Sequence, residues 1–506
     1  MNSKDRKQTF FNLIWAIIGG ALSYLVNFLL TPYITNRVGI EAFGFISLGN
    51  TIISYINIIS VGINSFAARF IAVHYHNEEI EEANKVYSSV LIANLILSFA
   101  VVIGAIPLIG KLEQLIVIPN NIALQVKVLF VFIILNYLVN LFVCVISSVA
   151  FINNKTGITS RIKATTSIIY AIIVVSLFSL LGVKVYYIGI ANFIVTCIGL
   201  AITYYFSICI DSRIRFSFKN WSIKKINEVL SAGVFNSINS LGGTLGSGLD
   251  LLISNKYLST LIMGQIAVGN QIGMLVTTAI SLVAGVFQPK QLEAYSKGDI
   301  NSLVKQLCFT MKVCGYFGSL FLIVFLAFGK SFLSLWIPGQ DIQMIYMITC
   351  IILVGDAIVA ITTPLYYVMT LTLKMEVVCF ITILCGVANV SAMIIFICNG
   401  IGTGQFVVVG TTAVLDLVAL LVFPKLSQKY LKLHNNPFLS TIYRYFTFTI
   451  LLSAICFIFE NYFLLTNWAY LFIGSCILGF LLSVIFVVIV LDKNERKRII
   501  GLISRE

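Results

Sequence analysis

Charge is what this sequence has least of. Only 10% of its 506 residues are Asp, Glu, Lys or Arg, against about 25% in an ordinary soluble domain. A soluble sphere of this size needs far more polar surface, so a soluble globular enzyme is excluded. Histidine is scarce as well. His74, His76 and His434 are the only three and lie outside the apolar segments, so no histidine metal centre is expected among those segments. The 11 cysteines include no C-x-x-C pair and fall inside apolar stretches. They read as small buried hydrophobes, not as disulfides or metal ligands. Gly329-Lys330-Ser331 imitates the end of a phosphate-binding loop, but Val324 stands where the first glycine must be, so no ATPase module is expected. The external loops are short and carry no His or carboxylate cluster. That argues against a membrane-embedded glycan polymerase or ligase, which needs acid–base groups beside a bound sugar. No catalytic residue, metal or cofactor is expected.

What the sequence has instead is length in apolar residues. They make up 59% of it, and its mean hydropathy is +0.99. Disorder and a disulfide scaffold are excluded, and an all-α polytopic membrane protein remains. Fourteen spans are expected near 10–30, 43–66, 86–109, 124–148, 165–183, 186–209, 229–252, 261–286, 306–328, 342–366, 376–397, 403–424, 441–460 and 468–491. Lipid cannot satisfy a bare peptide group, so these are helices. The first follows Lys4, Arg6 and Lys7; its apolar run is too long for a signal peptide and no A-x-A site follows, so it is expected to be retained.

The net charge of +13 is spread along the chain, so no nucleic-acid partner is expected. With fourteen spans, 27 of the 33 Lys and Arg fall on the side of the N-terminus. The other six are Arg37, Lys111, Lys127, Lys184, Lys256 and Lys330. This split obeys the positive-inside rule and makes both termini cytoplasmic. Trp336 and Trp468 then fall at outer span ends, where interfacial aromatics belong.

The chain also repeats itself. Gly44-Phe45-Ile46-Ser47-Leu48-Gly49-Asn50 aligns with Gly264-Gln265-Ile266-Ala267-Val268-Gly269-Asn270 at an offset of 220. The same offset carries Tyr75 to Tyr295, Ile80 to Ile300 and Lys85 to Lys305. The expected organisation is a six-helix lobe over 1–210, a cytoplasmic linker over 211–228, a second six-helix lobe over 229–432, and two additional helices with a basic tail over 433–506. Six crossings per half keep both halves in one topology, related by a pseudo-two-fold axis along the membrane normal. Parallel halves of this kind are a transporter architecture.

Polar residues inside spans recur at helical spacing. Asn50, Ser54, Asn57 and Asn64 share one face of the second span, and Asn270, Thr277, Ser281 and Gln288 follow a similar stripe in the eighth. Ser23 and Asn27 mark the first span; Asn236, Ser240, Gly243, Ser247 and Asp250 mark the seventh. One explanation is hydrogen bonding between helices. The other is a shared water-filled cavity, whose neutral amides and hydroxyls suit sugar hydroxyls. The glycines of the seventh span, Gly242 and Gly246 among them, read either as a packing pair or as a bending helix.

Asp356 and Asp416 lie within spans ten and twelve, where a carboxylate requires a cavity, a partner or an ion. With Asp250 they are ion-coupling candidates. Arg69 and Lys290 end the second and eighth spans on the cytoplasmic side, as near symmetry mates. They are either inside anchors or a pair of cations suited to a diphosphate.

Several local sequences have a familiar pattern. They are the basic-then-apolar start with Asn12 and Trp15, the exit Leu30-Thr31-Pro32-Tyr33-Ile34, and Gly39-Ile40-Glu41-Ala42-Phe43-Gly44. In these, and in its twelve-plus-two layout, the chain resembles the multidrug/oligosaccharidyl-lipid/polysaccharide exporter superfamily, and within it the Wzx-type polysaccharide flippases. The resemblance implies movement of an undecaprenyl-diphosphate-linked oligosaccharide repeat unit to the outer leaflet by alternating access, for O-antigen or capsule synthesis. It also implies a bacterial cytoplasmic membrane location, and a polysaccharide polymerase is a further partner. Family members often place cations in the central cavity, whereas here no Lys or Arg lies deep in spans one, two, seven or eight. A cation-coupled multidrug antiporter and a lipid II flippase remain alternatives.

Overall fold

Peptide groups surrounded by acyl chains must bond within their own segment, which makes long helices the default for so apolar a chain. The computed structural model describes residues 3–459, 465–492 and 495–496, and among these there is no strand. The basic residues Lys493, Lys497, Arg498 and Arg505 of the expected tail lie outside the described residues. In chain order the helices are α1 (Ser3–Val38), α2 (Ile40–Asn64), α3 (Ala67–His76), α4 (Ile80–Gly110), α5 (Leu112–Leu115), α6 (Ala123–Ile146), α7 (Ser148–Ile152), α8 (Thr156–Leu180), α9 (Tyr186–Ile210), α10 (Ile223–Ser247), α11 (Asp250–Tyr257), α12 (Thr260–Ser296), α13 (Ile300–Trp336), α14 (Ile342–Leu371), α15 (Met375–Cys398), α16 (Gly404–Tyr430), α17 (Pro437–Phe459) and α18 (Trp468–Ile489).

Among the described residues, 13 helical stretches are long and apolar enough to cross a membrane. The expected seventh span, α10, is not among them; its Asn, Ser and Gly residues make it unusually polar for a crossing. The stretches Ile40–His76 and Thr260–Ser296 are each 37 residues long. Their starts differ by the 220 residues of the sequence repeat, as do those of α4 and α13. Gly39 at φ 88° separates α1 from α2, a left-handed backbone that a side chain would strain.

The chain packs as two units, Met1–Leu261 and Ile262–Glu506. In the first, α1 packs on α8, α6 on α9, and α2 on both α6 and α10. Its core includes Ile71, Val86, Tyr87, Leu141, Val145 and Val229. In the second, α14 packs on α13 and α16, while α17 and α18 both rest on α13. Leu303, Met311, Leu365, Phe423 and Tyr445 belong to its core. The seventh long helix thus packs with the six before it, although the sequence repeat begins with it: repeat unit and packing unit are different divisions.

A glycine contact brings α2 and α10 close together. A Cβ built on Gly233 would stand 1.9 Å from the Gly62 carbonyl oxygen, whereas one on Gly243 or Gly246 would meet nothing within 4 Å. The tight glycine contact on α10 is therefore Gly62 against Gly233, while the space around Gly246 is open. Gly233→Ala is expected to cost about 1–3 kcal/mol by forcing the helices apart, with Gly243→Ala nearly silent, in thermal unfolding of the detergent-purified protein. Further along, α10 ends at Ser247 and α11 starts at Asp250. The Thr244 carbonyl at this break accepts from Gly248 N at 2.7 Å and from the Tyr55 hydroxyl at 3.0 Å. The expected seventh span is thus a broken helix, in keeping with the bending interpretation of its glycines.

Trp336 is not a lipid-facing anchor. It is buried and stacks on Phe332, which also meets the exposed Trp468 edge-on.

Candidate functional site: polar stripes and buried charges

Helical spacing puts Asn50, Ser54 and Asn57 on one face of α2, and all three are exposed. They lie along a predominantly apolar helix, so their exposure sets amide and hydroxyl groups where acyl chains could not satisfy them. Ser54 Oγ donates back to the Asn50 carbonyl at 3.1 Å, and Asn57 Oδ1 accepts from Ser60 Oγ at 2.6 Å. Asn64, at the end of the stripe, behaves differently. Its side chain exchanges hydrogen bonds with the fully buried Asn94 of α4, at 2.9 and 3.3 Å, and Asn94 also donates to the Leu141 carbonyl at 3.2 Å. This is a helix–helix clasp.

The α10 stripe lies in the same unit. Asn236 is exposed, while Ser237, one residue on, donates to the Ile58 carbonyl of α2 at 2.7 Å and sews the two helices together. The Ser247 side chain lies outside the described residues. On α1, Asn27 is exposed and donates to its own helix at the Ser23 carbonyl, and Ser23 meets Ser167 of α8 at 2.8 Å. Asp250 is buried at the first turn of α11.

In the second unit, Asn270 and Thr277 of α12 are half-buried and Gln288 is exposed. Thr277 and Ser281 donate back along the helix. Between α12, α14 and α16 the structure brings two carboxylates into one neighbourhood. A Cβ on Gly273 of α12 would come within 2.8 Å of Asp356 Oδ2, and one on Gly355 of α14 within 2.8 Å of Asp416 Oδ2. Glycine at both positions is what admits the carboxylates. Asp356 Oδ2 is buried and has no hydrogen-bond partner among the described residues. Asp250 belongs to the other unit and is not part of this pair. Arg69, in the first turn of α3, and Lys290, after Pro289 in α12, are both exposed.

A buried cation, Lys312, has in sequence only the look of one more basic residue on the expected cytoplasmic side. Lys312 lies well inside α13 with its side chain 4% exposed, and Nζ is 2.8 Å from both Asp492 and Glu495 beyond α18. Asp492 also bonds Arg444 of α17 at 2.9 Å. These cations hold the Asp492 carboxyl below its ordinary pKa, the Lys312 hydrogen bond most of all. Lysine near the start of an apolar run was the available signal, but its partners lie 180 and 183 residues away.

A second ionic cluster joins α9 to the segment after it. Asp211 bonds Arg213 at 2.8 Å and the Tyr75 hydroxyl. The Arg213 hydrogen bond above all holds its pKa down, at about 2 against an ordinary 3.8. A depressed carboxyl stabilises the fold above its unfolded pKa and ceases to do so as pH falls through the folded one. Asp211→Asn is therefore expected to speed hydrogen exchange of amides 211–217 at pH 6, with the difference from the parent protein disappearing toward pH 2.

Long apolar helices with polar stripes and buried charges, in a chain that repeats at an offset of 220 residues, define a multi-pass membrane protein. The chain belongs to the family described as "Polysaccharide biosynthesis protein", whose profile matches residues 11–290. It is 26% identical over 373 residues to the "Uncharacterized membrane protein EpsK" of Bacillus subtilis (strain 168), covering 73% of each chain. Among solved structures it resembles the lipid II flippase MurJ in an inward closed conformation, with a TM-score of 0.71, 14% identity, and 94% of this chain and 98% of that one covered. It also resembles an inward-facing multidrug resistance MATE family transporter of the MOP superfamily, with a TM-score of 0.68, 14% identity, and 83% and 100% covered.

Proposed function

We propose that this protein is a flippase that carries an undecaprenyl-diphosphate-linked oligosaccharide repeat unit from the cytoplasmic to the outer leaflet of a bacterial inner membrane, for O-antigen or capsule synthesis. Both termini are then cytoplasmic, which the 27-to-six distribution of Lys and Arg over fourteen spans supports. The observation that carries this reading is the exposed neutral polar face of α2, Asn50, Ser54 and Asn57, inside an apolar crossing. Membership of a polysaccharide biosynthesis family supports a glycan as the cargo.

In this reading Asn27, Asn50, Asn57, Asn236, Ser247, Asn270, Thr277 and Gln288 offer amides and hydroxyls to sugar hydroxyls. Such groups bond glycans without a large charge term. Asn64 contributes through its clasp with Asn94. Arg69 and Lys290, at the cytoplasmic ends of their helices, take the diphosphate. The two six-helix halves alternate access, with the broken seventh helix as a bending element. A polysaccharide polymerase receives the product.

The acidic pair favours a cation as the driving partner. Asp356 and Asp416 provide a buried acidic site where a cation gradient could be coupled to transport, and Asp250 is a third candidate. A multidrug antiporter would use the same carboxylates for cationic drugs. The two readings separate in proteoliposomes: a flippase moves a lipid-linked glycan across the bilayer and leaves a cationic dye in place. Dye efflux without glycan movement would overturn the proposal. Asp356→Leu is expected to abolish the response of glycan movement to an imposed ion gradient, as read by the same assay with and without the gradient.

A further inference from the structure

Residues 211–222, between α9 and α10, form neither helix nor strand, yet they are firmly held. Ile214 is buried in the core of the first unit. The α4 side chains grip the backbone on both sides of it. Asn84 donates to the Arg213 carbonyl at 3.0 Å and accepts from Arg215 N at 2.7 Å. Ser88 accepts from Ser217 N at 3.1 Å and Ser89 from Ser222 N at 2.9 Å. The Asp211 cluster fixes the entrance to the segment.

A strap pinned at so many points has its outward side chains set by register. Those side chains are aromatic and basic. Phe218 is 69%, Trp221 44% and Phe216 41% exposed, and the two phenylalanines meet edge to face at 4.6 Å. Arg215, Lys219 and Lys224 are exposed among them. Residues 211–225 hold five Lys and Arg against a single Asp. Asp211 is already paired with Arg213, and Lys225 lies within 4 Å of Glu82 and Glu228. The exposed Tyr204 and Tyr205 lie in the last two turns of α9, about 9 Å of helix rise before the strap begins.

We propose that this strap is a recognition surface for anionic lipid headgroups of the cytoplasmic leaflet. Phe216, Phe218 and Trp221 sit at the boundary between headgroups and acyl chains, and Arg215, Lys219 and Lys224 pair with lipid phosphates. Two helices long and apolar enough to cross a membrane hold the strap, α9 leading into it and α4 gripping its backbone, which favours a lipid surface over an acidic protein. The inference rests on the proposed orientation but not on the cargo.

The test uses the full chain with Trp221 as its sole tryptophan (Trp15, Trp336 and Trp468 changed to Phe), in nanodiscs of phosphatidylcholine with or without one quarter phosphatidylglycerol. With the anionic lipid, Trp221 emission should shift to the blue, resist aqueous acrylamide, and be quenched by lipids brominated near the top of the chain. In pure phosphatidylcholine it should be acrylamide-accessible. Lys219→Glu with Lys224→Glu, both exposed and so compatible with folding, should weaken the anionic-lipid response about fivefold per cation. Three results would overturn the proposal: Trp221 accessible in both membranes, insertion independent of lipid charge, or protection only after adding a soluble cell fraction. Glycan transport does not enter this readout, so loss of the flippase assignment would leave the result intact.

Discussion

Changing Asp492 and Glu495 together to alanine will destabilise the detergent-solubilised protein by about 3–5 kcal/mol. The two carboxylates are the salt-bridge partners of Lys312, whose side chain is 4% exposed. Removing them leaves an ammonium group in a packed, largely apolar setting, and that uncompensated charge dominates the cost. The exposed Arg444–Asp492 contact adds little by comparison. A rescue separates this account from a general loss of tail packing: Lys312→Met in the double-alanine background should recover most of the stability, because a well-packed apolar side chain needs no counter-charge. Thermal unfolding of all three variants provides the comparison. Failure of the methionine to rescue would show that the segment beyond α18 acts through contacts other than charge.

Asn57→Leu combined with Thr277→Leu will reduce glycan export about 30-fold or more while the protein still accumulates in the membrane. Each change removes a group proposed to bond a sugar hydroxyl, and an unmet buried hydrogen bond costs about 1–3 kcal/mol. Two such losses, at about 1.4 kcal/mol per factor of ten, reach that range. Asn64→Leu should fail differently. It breaks the pairing with the buried Asn94, so its main effect is lower stability by about 1–3 kcal/mol. Export assays scaled to the amount of folded protein distinguish these outcomes. Unchanged export in the Asn57/Thr277 variant would remove the sugar path from those helices.

The helices and the repeat were legible because each is local: in lipid, long apolar runs become helices, and an internal repeat keeps a constant offset. Thus the 220-residue offset read from Gly44–Asn50 reappears in the starts of Ile40–His76 and Thr260–Ser296. The polar face of α2 was legible for the same reason, since helical periodicity assigns faces without knowledge of neighbours. Partners that depend on distant packing were not legible. Nothing within the second span distinguishes Asn64, which is clasped to Asn94, from Asn57, which is exposed. Lys312 looked like one more basic residue until the chain returned, 180 residues later, with Asp492. The repeat assigns the seventh helix to the second lobe, yet Gly62–Gly233 and Ser237–Ile58 bind it to α2.

The central claim is that the exposed face of α2 meets water within the thickness of the membrane. Single cysteines at Asn50, Ser54 and Asn57, in a background without the native cysteines, test it most directly. Treatment of intact cells with a membrane-impermeant, charged thiol reagent should label these positions in at least one transport state, and a lipid-linked glycan should protect them. A cysteine at the exposed, apolar Ile59 position should resist the same reagent. Resistance at all three polar positions, with labelling confined to the helix ends, would contradict the account.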